Sequence, residues 1–205
     1  MQDSYLTIQT ESKGFYKEKG SKFLAFAFPV ASEEDVKNSL ELLRKQYYDA
    51  RHHCYGYIYG ERSEHYRAND DGEPGHSAGD PILGQIKSRQ LTNTLVVVVR
   101  YFGGTKLGVS GLITAYKTAA AEALDNNEVI SCDITQAMRF SFPYESMNAV
   151  MKLVKDLGLN ITAQGYEAEC TLDVAVIVSK VETLESKVDL MQKTGTTLKL
   201  EILES

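Results

Sequence analysis

Residues 95–108 read Leu-Val-Val-Val-Val-Arg-Tyr-Phe-Gly-Gly-Thr-Lys-Leu-Gly. Leu95 to Val99 is an unbroken apolar, mostly β-branched run, the pattern of a strand covered on both faces. Arg100 sets a charge at its end. Gly103 and Gly104 open backbone angles closed to other residues and allow a partner to approach the main chain. Lys106 adds a second cation, and a helix predicted from about Ser110 to Asn126 would aim its free N–H groups and positive dipole end at the same place. The stretch therefore reads as strand, anion-binding corner and helix. It matches neither G-x-x-x-x-G-K-[ST] nor G-x-G-x-x-G. Strand–Gly-Gly–helix turns also arise from turn geometry alone, with Arg100 paired to a carboxylate of its own chain.

Working outward, His53 to Tyr59 predicts a second strand. Period two puts His53, Tyr55, Tyr57 and Tyr59 on one face and His52, Cys54, Gly56 and Ile58 on the other. On an open sheet face Tyr55, Tyr57 and Tyr59 would form a stacking platform for bases; beneath a helix they would be core. Neighbouring strand residues point apart, so Arg51-His52-His53-Cys54 is not a zinc site. Residues 60–80 read as one long polar loop. Its carboxylates Asp70, Asp71 and Glu73 would repel one another unless cations neutralise them, and Arg51 and Arg100 are at hand. A divalent ion is the competing reading, but the spacing is not that of an EF-hand. The expectation is a structural loop: Asp71 and Glu73 support the basic corner, with no metal and no cofactor.

Toward the N-terminus, Tyr5–Thr10 and Lys22–Val30 alternate and predict a hairpin. Ser32 then opens a helix with Asp35 three residues on, and Val36, Leu40, Leu43 and Tyr47 form one apolar stripe. Past the Asn126–Ile134 connector the pattern restarts as strand 135–142, helix 147–157, strands 160–167 and 169–178, a helix from Val181 to Gly195, and strand 197–203. This β-α-β-β-α-β order is the ferredoxin-like plan. Two domains are expected, 1–133 and 134–205, in an α+β protein.

The chain of 205 residues carries 43% hydrophobic and 24% charged residues and a net charge of −6. That composition belongs to a globular protein and argues against a generic nucleic-acid coat, so the basic character near Arg100 is local. Cys54, Cys132 and Cys170 are odd in number and far apart, which fits a reducing compartment better than a disulfide framework. The first residues, Met-Gln-Asp-Ser-Tyr, have no leader character. No apolar run approaches the ~20 residues of a membrane span. The expected location is the cytoplasm, with no membrane partner.

Three motifs in this order and spacing, Asp49-Ala50-Arg51-His52-His53-Cys54, Asp70-Asp71-Gly72-Glu73-Pro74 and Arg100-Tyr101-Phe102-Gly103-Gly104-Thr105-Lys106-Leu107-Gly108, resemble the YigZ/IMPACT family from about Lys19 to Leu124. The second half resembles the extra domain of the bacterial YigZ branch. The resemblance implies a first domain like domain IV of elongation factor G, of the ribosomal-protein β/α type, and a second like its domain V. It implies a role in regulation of translation, since eukaryotic members resemble regulators that restrain the starvation-responsive kinase of translation initiation. No catalytic residues come with it. The candidate site is Arg51, His52, Arg100, Gly103, Gly104 and Lys106, with Asp71 and Glu73 in support. The expected function is non-catalytic binding of RNA, the ribosome or translation factors. Two alternatives stand beside it: an enzyme acting on a phosphorylated or carboxylated small molecule with His52 or His53 as acid/base, and a regulator that binds only protein.

Overall fold

The structure, a computed structural model, describes residues 3–203. The chain divides into two compact units, one spanning Ser4–Cys132 and the other running from Asp133 and including Asp3. In chain order the first comprises β1 (Ser4–Ile8), β2 (Ser12–Glu18), β3 (Ser21–Pro29), α1 (Glu33–Gln46), β4 (His52–Tyr59), β5 (His65–Asn69), α2 (Gly79–Ser88), β6 (Thr94–Tyr101), α3 (Gly108–Asp125) and β7 (Val129–Asp133). Five strands form one sheet in the order β2-β3-β6-β4-β5, antiparallel throughout, and β1 and β7 form a separate pair.

The apolar run of β6 sits at the sheet centre with both faces covered. Leu95, Val97 and Val99 pack with Phe26 and Tyr55 against Val36, Leu40 and Leu43 of α1. Val96 and Val98 face Cys54, Ile82 and Ile86 of α2, and Tyr116 and Ala119 of α3, on the other side. Leu95 to Val99 are each 0% exposed, and burial of each such side chain contributes about 1.5–3 kcal/mol. At the head of α1, Ser32 Oγ accepts from Asp35 N at 3.2 Å, and the Asp35 carboxylate accepts from Ala31 N at 2.9 Å. Helix and sheet are thus locked by local chemistry as well as by packing.

Two expectations are corrected. The N-terminal hairpin joins β2 to β3 rather than Tyr5–Thr10 to Lys22–Val30; β1 lies in the small sheet with β7. The turn of that hairpin is Lys19–Gly20, with φ of 44° and 80°, the doubly positive pair that suits strand twist. Residues 60–80 are not one loop, because 65–69 pair with β4 as an exposed edge strand and α2 begins at Gly79.

The second unit runs β8 (Thr135–Phe142), α4 (Met147–Leu157), β9 (Asn160–Tyr166), β10 (Cys170–Ile177), α5 (Val181–Lys193) and β11 (Lys199–Ile202). Its antiparallel sheet has the order β11-β8-β10-β9. Met138, Phe140 and Phe142 of β8 meet Val150, Leu153 and Val154 of α4 and Leu184 and Val188 of α5 in a core of its own. Gly158 ends α4 in the left-handed conformation, φ 61°. The three cysteines are free. No helix among the described residues is long and apolar enough to cross a membrane.

Candidate anion-binding cleft

The sheet register brings the site together. His52 opens β4 directly opposite Arg100 at the end of β6, and Arg51 immediately precedes His52. The chain leaves β6 through Phe102–Lys106 and enters α3 at Gly108. The loop after β5 lies alongside. Between them is a cleft of about 470 Å³, lined by Arg51, His52, Arg100 and Lys106, by Glu73 and Pro74, and by an apolar wall that includes Phe102, Leu107, Val109 and Leu112.

Its floor is a buried ion pair. Arg100 Nη1 donates to Glu73 Oε1 at 2.5 Å, with the two side chains 8% and 4% exposed. Tyr116 Oη donates to the same oxygen at 2.7 Å. Behind it, Cys54 Sγ lies 3.3 Å from that hydroxyl and 3.0 Å from the Asp70 carbonyl. The guanidinium packs near the rings of Phe23 and Phe102, 5.5 and 5.7 Å from their centroids, and its buried Nε has no hydrogen-bond partner among the described residues. Burial pushes both the Cys54 thiol and the Tyr116 hydroxyl far up, so each stays protonated and Cys54 is not a nucleophile.

Glu73 cancels the charge of Arg100, so the positive excess belongs to the rim. Arg51 and Lys106 are exposed and have no hydrogen-bond or ion-pair partner among the described residues. Beside them, the N-terminus of α3 has no side-chain cap and no acidic residue in its first turn, which leaves backbone donors open to an anion. His52 Nδ1 is 2.8 Å from the Asp71 carbonyl oxygen; a carbonyl only accepts, so Nδ1 carries the proton and Nε2 is the nitrogen left for a ligand.

The three clustered carboxylates go to three different tasks. Asp71 accepts from His53 N at 2.6 Å. Glu73 holds Arg100. Asp70 accepts from the N–H groups of His76, Ala78 and Gly79, each at 2.9 Å, and so caps α2 from outside the helix. Burial alone would push the Asp70 carboxyl up, but these donors prevail and hold it below the ordinary value. A depressed folded-state pKa contributes stability that is present above the unfolded value of 3.8 and lost as pH falls through the folded one. Asp70→Ala should therefore cost about 1–2 kcal/mol at neutral pH, and the gap to the parent protein should close on acidification below that value. Urea titrations across pH check this, and a gap that widens in acid would be the wrong sign.

Arg51, His52, Arg100, Lys106 and Glu73 thus converge, whereas three other sequence candidates lie outside the lining. Gly103 is packed against the Gly20–Ser21 backbone and donates to Ser21 Oγ at 3.1 Å. Gly104, φ 88°, has open space around it, and Asp71 braces His52 and His53 from behind. Tyr55, Tyr57 and Tyr59 are not a platform for bases. Tyr55 and Tyr57 are 8% and 9% exposed under α1 and stack on each other, with Tyr57 also stacked on Tyr59. His53 shares that buried face and is excluded from the cleft; burial holds its pKa down. Sequence reading missed the apolar wall. Phe102 was its one visible signal, an aromatic just past the end of the buried run, beyond the reach of the sheet. No group of three or more His, Cys, Asp or Glu among the described residues is placed to hold a metal ion.

A profile of the Impact N-terminal domain matches residues 19–124, more than half of the chain and the whole of the cleft. The chain belongs to the IMPACT family. The IMPACT family member YvyE of Bacillus subtilis is 36% identical over 144 residues, 70% of this chain and 66% of that protein. The IMPACT family member YigZ of Escherichia coli is 30% identical over 171 residues, covering 82% of this chain and 84% of its own, so that the family likeness extends past the N-terminal domain. A crystal structure described as that of a hypothetical protein superposes over 100% of both chains with a TM-score of 0.73 at 28% identity. The family read from three sequence motifs is thus the family found.

Proposed function

We propose that this protein is a non-catalytic regulatory binding protein of the translation apparatus, and that the cleft beside α3 engages RNA phosphates. One observation carries the reading: two cations without a partner among the described residues and an uncapped helix N-terminus face a single cleft on a chain whose net charge is −6. Such a local anion site on an acidic body suits a docking contact rather than a coat. The commitment of Glu73 to Arg100 and Tyr116, and the protonated states of Cys54 and Tyr116, support binding over catalysis, since none is a free base or nucleophile. Family membership supports the link to translation through the eukaryotic regulators the motifs resemble. Three free cysteines fit the cytoplasm. The strand order of the second unit fits the ferredoxin-like plan, and we extend the comparison with domains IV and V of elongation factor G to the two units in turn.

The test is the double variant Arg51→Glu, Lys106→Glu. Binding of a single-stranded oligoribonucleotide, and co-sedimentation with ribosomal subunits, should fall by about 100-fold. The log–log salt slope should shrink by roughly 0.7 for each phosphate that the variant no longer neutralises. Both side chains are exposed, so the urea midpoint should not move. Unchanged affinity in a folded variant would place the function elsewhere.

A further inference from the structure

Resting on that reading, we propose that the cleft selects a nucleotide phosphomonoester, seating the doubly charged phosphate between Arg51, Lys106 and the α3 N-terminus with the base against Phe102, in preference to a phosphodiester within a strand. Charge matching is the first argument. Glu73 neutralises Arg100 at 2.5 Å, which leaves two whole cations and the fractional positive end of an 18-residue helix. A diester carries one negative charge and leaves that field unmatched; a monoester carries about 1.5–2 at neutral pH and presents three acceptor oxygens.

The second argument is the floor. Arg100 lines the cleft as a guanidinium held in place by Glu73, and its sealed Nε has no hydrogen-bond partner among the described residues, so the floor beneath the two rim cations is fixed and rich in donors. The third is the wall. Phe102 and Val109 are 56% and 53% exposed and sit side by side in the lining next to the two rim cations, and the Arg100 guanidinium lies 5.7 Å from the Phe102 ring centroid. A base stacked on this ring would cover the exposed apolar surface. The cleft volume of about 470 Å³ is that of a site for one small ligand rather than a track for a strand.

A free nucleotide and the phosphorylated end of an RNA share this chemistry. The experiment measures binding to the full chain of four probes by competition. They are one oligoribonucleotide with a 5′-phosphate, the same with a 3′-phosphate, the same with hydroxyl ends, and adenosine monophosphate. A phosphorylated end should bind about 10-fold more tightly than the hydroxyl form. Arg51→Gln with Lys106→Gln should erase that preference. Phe102→Ala should weaken adenosine monophosphate and the phosphorylated oligonucleotides about 10-fold, and unchanged affinity for all of them would overturn the seating of a base on that ring. Adenosine monophosphate binding as tightly as a phosphorylated oligonucleotide assigns the free nucleotide; tight binding of the oligonucleotide alone assigns the RNA end. Equal affinity for phosphorylated and hydroxyl-ended RNA overturns the monoester inference and leaves the RNA reading intact. Binding of the mononucleotide without any RNA keeps the inference and overturns that reading. Binding of no probe overturns both.

Discussion

Glu73→Ala should lower the unfolding free energy by about 3–5 kcal/mol, a large fraction of the margin of an ordinary domain. The substitution leaves the Arg100 guanidinium, 8% exposed, with an uncompensated charge, and removes the acceptor of Tyr116 Oη. Its cost arises mostly from the groups left stranded rather than from the missing bond. Tyr116→Phe, which deletes one donor and leaves the ion pair, should cost only about 1 kcal/mol. Replacing both charges, as in Arg100→Met with Glu73→Leu, should recover most of the stability because no charge is then stranded. Urea unfolding of the four proteins checks the series. A Glu73→Ala shift below about 1 kcal/mol would mean that solvent reaches Arg100 and that the floor of the cleft is not closed.

Gly103→Ala should cost about 1–3 kcal/mol and also weaken ligand binding. A Cβ at this position would fall on the carbonyl carbon of Gly20 and the nitrogen of Ser21. Both are backbone atoms of the β2–β3 turn, so no rotamer change relieves the overlap. The loop must lift, breaking the Gly103 N–Ser21 Oγ bond and carrying Lys106 away from Arg51. Gly104 is the contrast. A Cβ there meets nothing within 4 Å, so Gly104→Ala faces only the strain of φ 88°, of order 1 kcal/mol. Unfolding and anisotropy titrations of the two variants should separate packing from backbone strain; equal behaviour would show that the close approach at Gly103 is not needed.

The parts of this molecule that follow from short-range rules were legible in the chain. The β6 run announced a strand buried on both faces, Ser32 and Asp35 announced α1, and the regular spacing after residue 134 announced the strands and helices of the second unit. What was illegible depends on distant partners. The helix α2 holds Gly79, Pro81 and Gly84 within ten residues and has no local cap, since its capping carboxylate is Asp70, eight residues before Ala78. Pro81 falls in the first turn, where its missing N–H is no loss. The strand β5 has an exposed, unalternating pattern and owes its form to pairing with β4. At the cleft, the two cations on the Gly-Gly turn and a carboxylate partner for Arg100 were legible, but that Glu73 alone takes that role, and the apolar wall, were not. Which carboxylate takes which donor is decided by tertiary geometry, and Asp70, Asp71 and Glu73 look alike in one dimension.

The column of rings under α1 has an optical consequence. The chain has 12 tyrosines and no tryptophan. Tyr55 and Tyr57 lie 6.2 Å apart with planes 6° off parallel, and Tyr57, Tyr59 and His65 continue the stack at 5.6 and 4.7 Å. In the second unit Tyr144 and Tyr166 are 78% and 63% exposed. Ordered, closely spaced phenols in an asymmetric field give strong near-ultraviolet dichroism, whereas rotating surface phenols give little. That band is therefore a built-in reporter on residues 4–132. Followed beside far-ultraviolet signals from both units, it resolves their melting without any label.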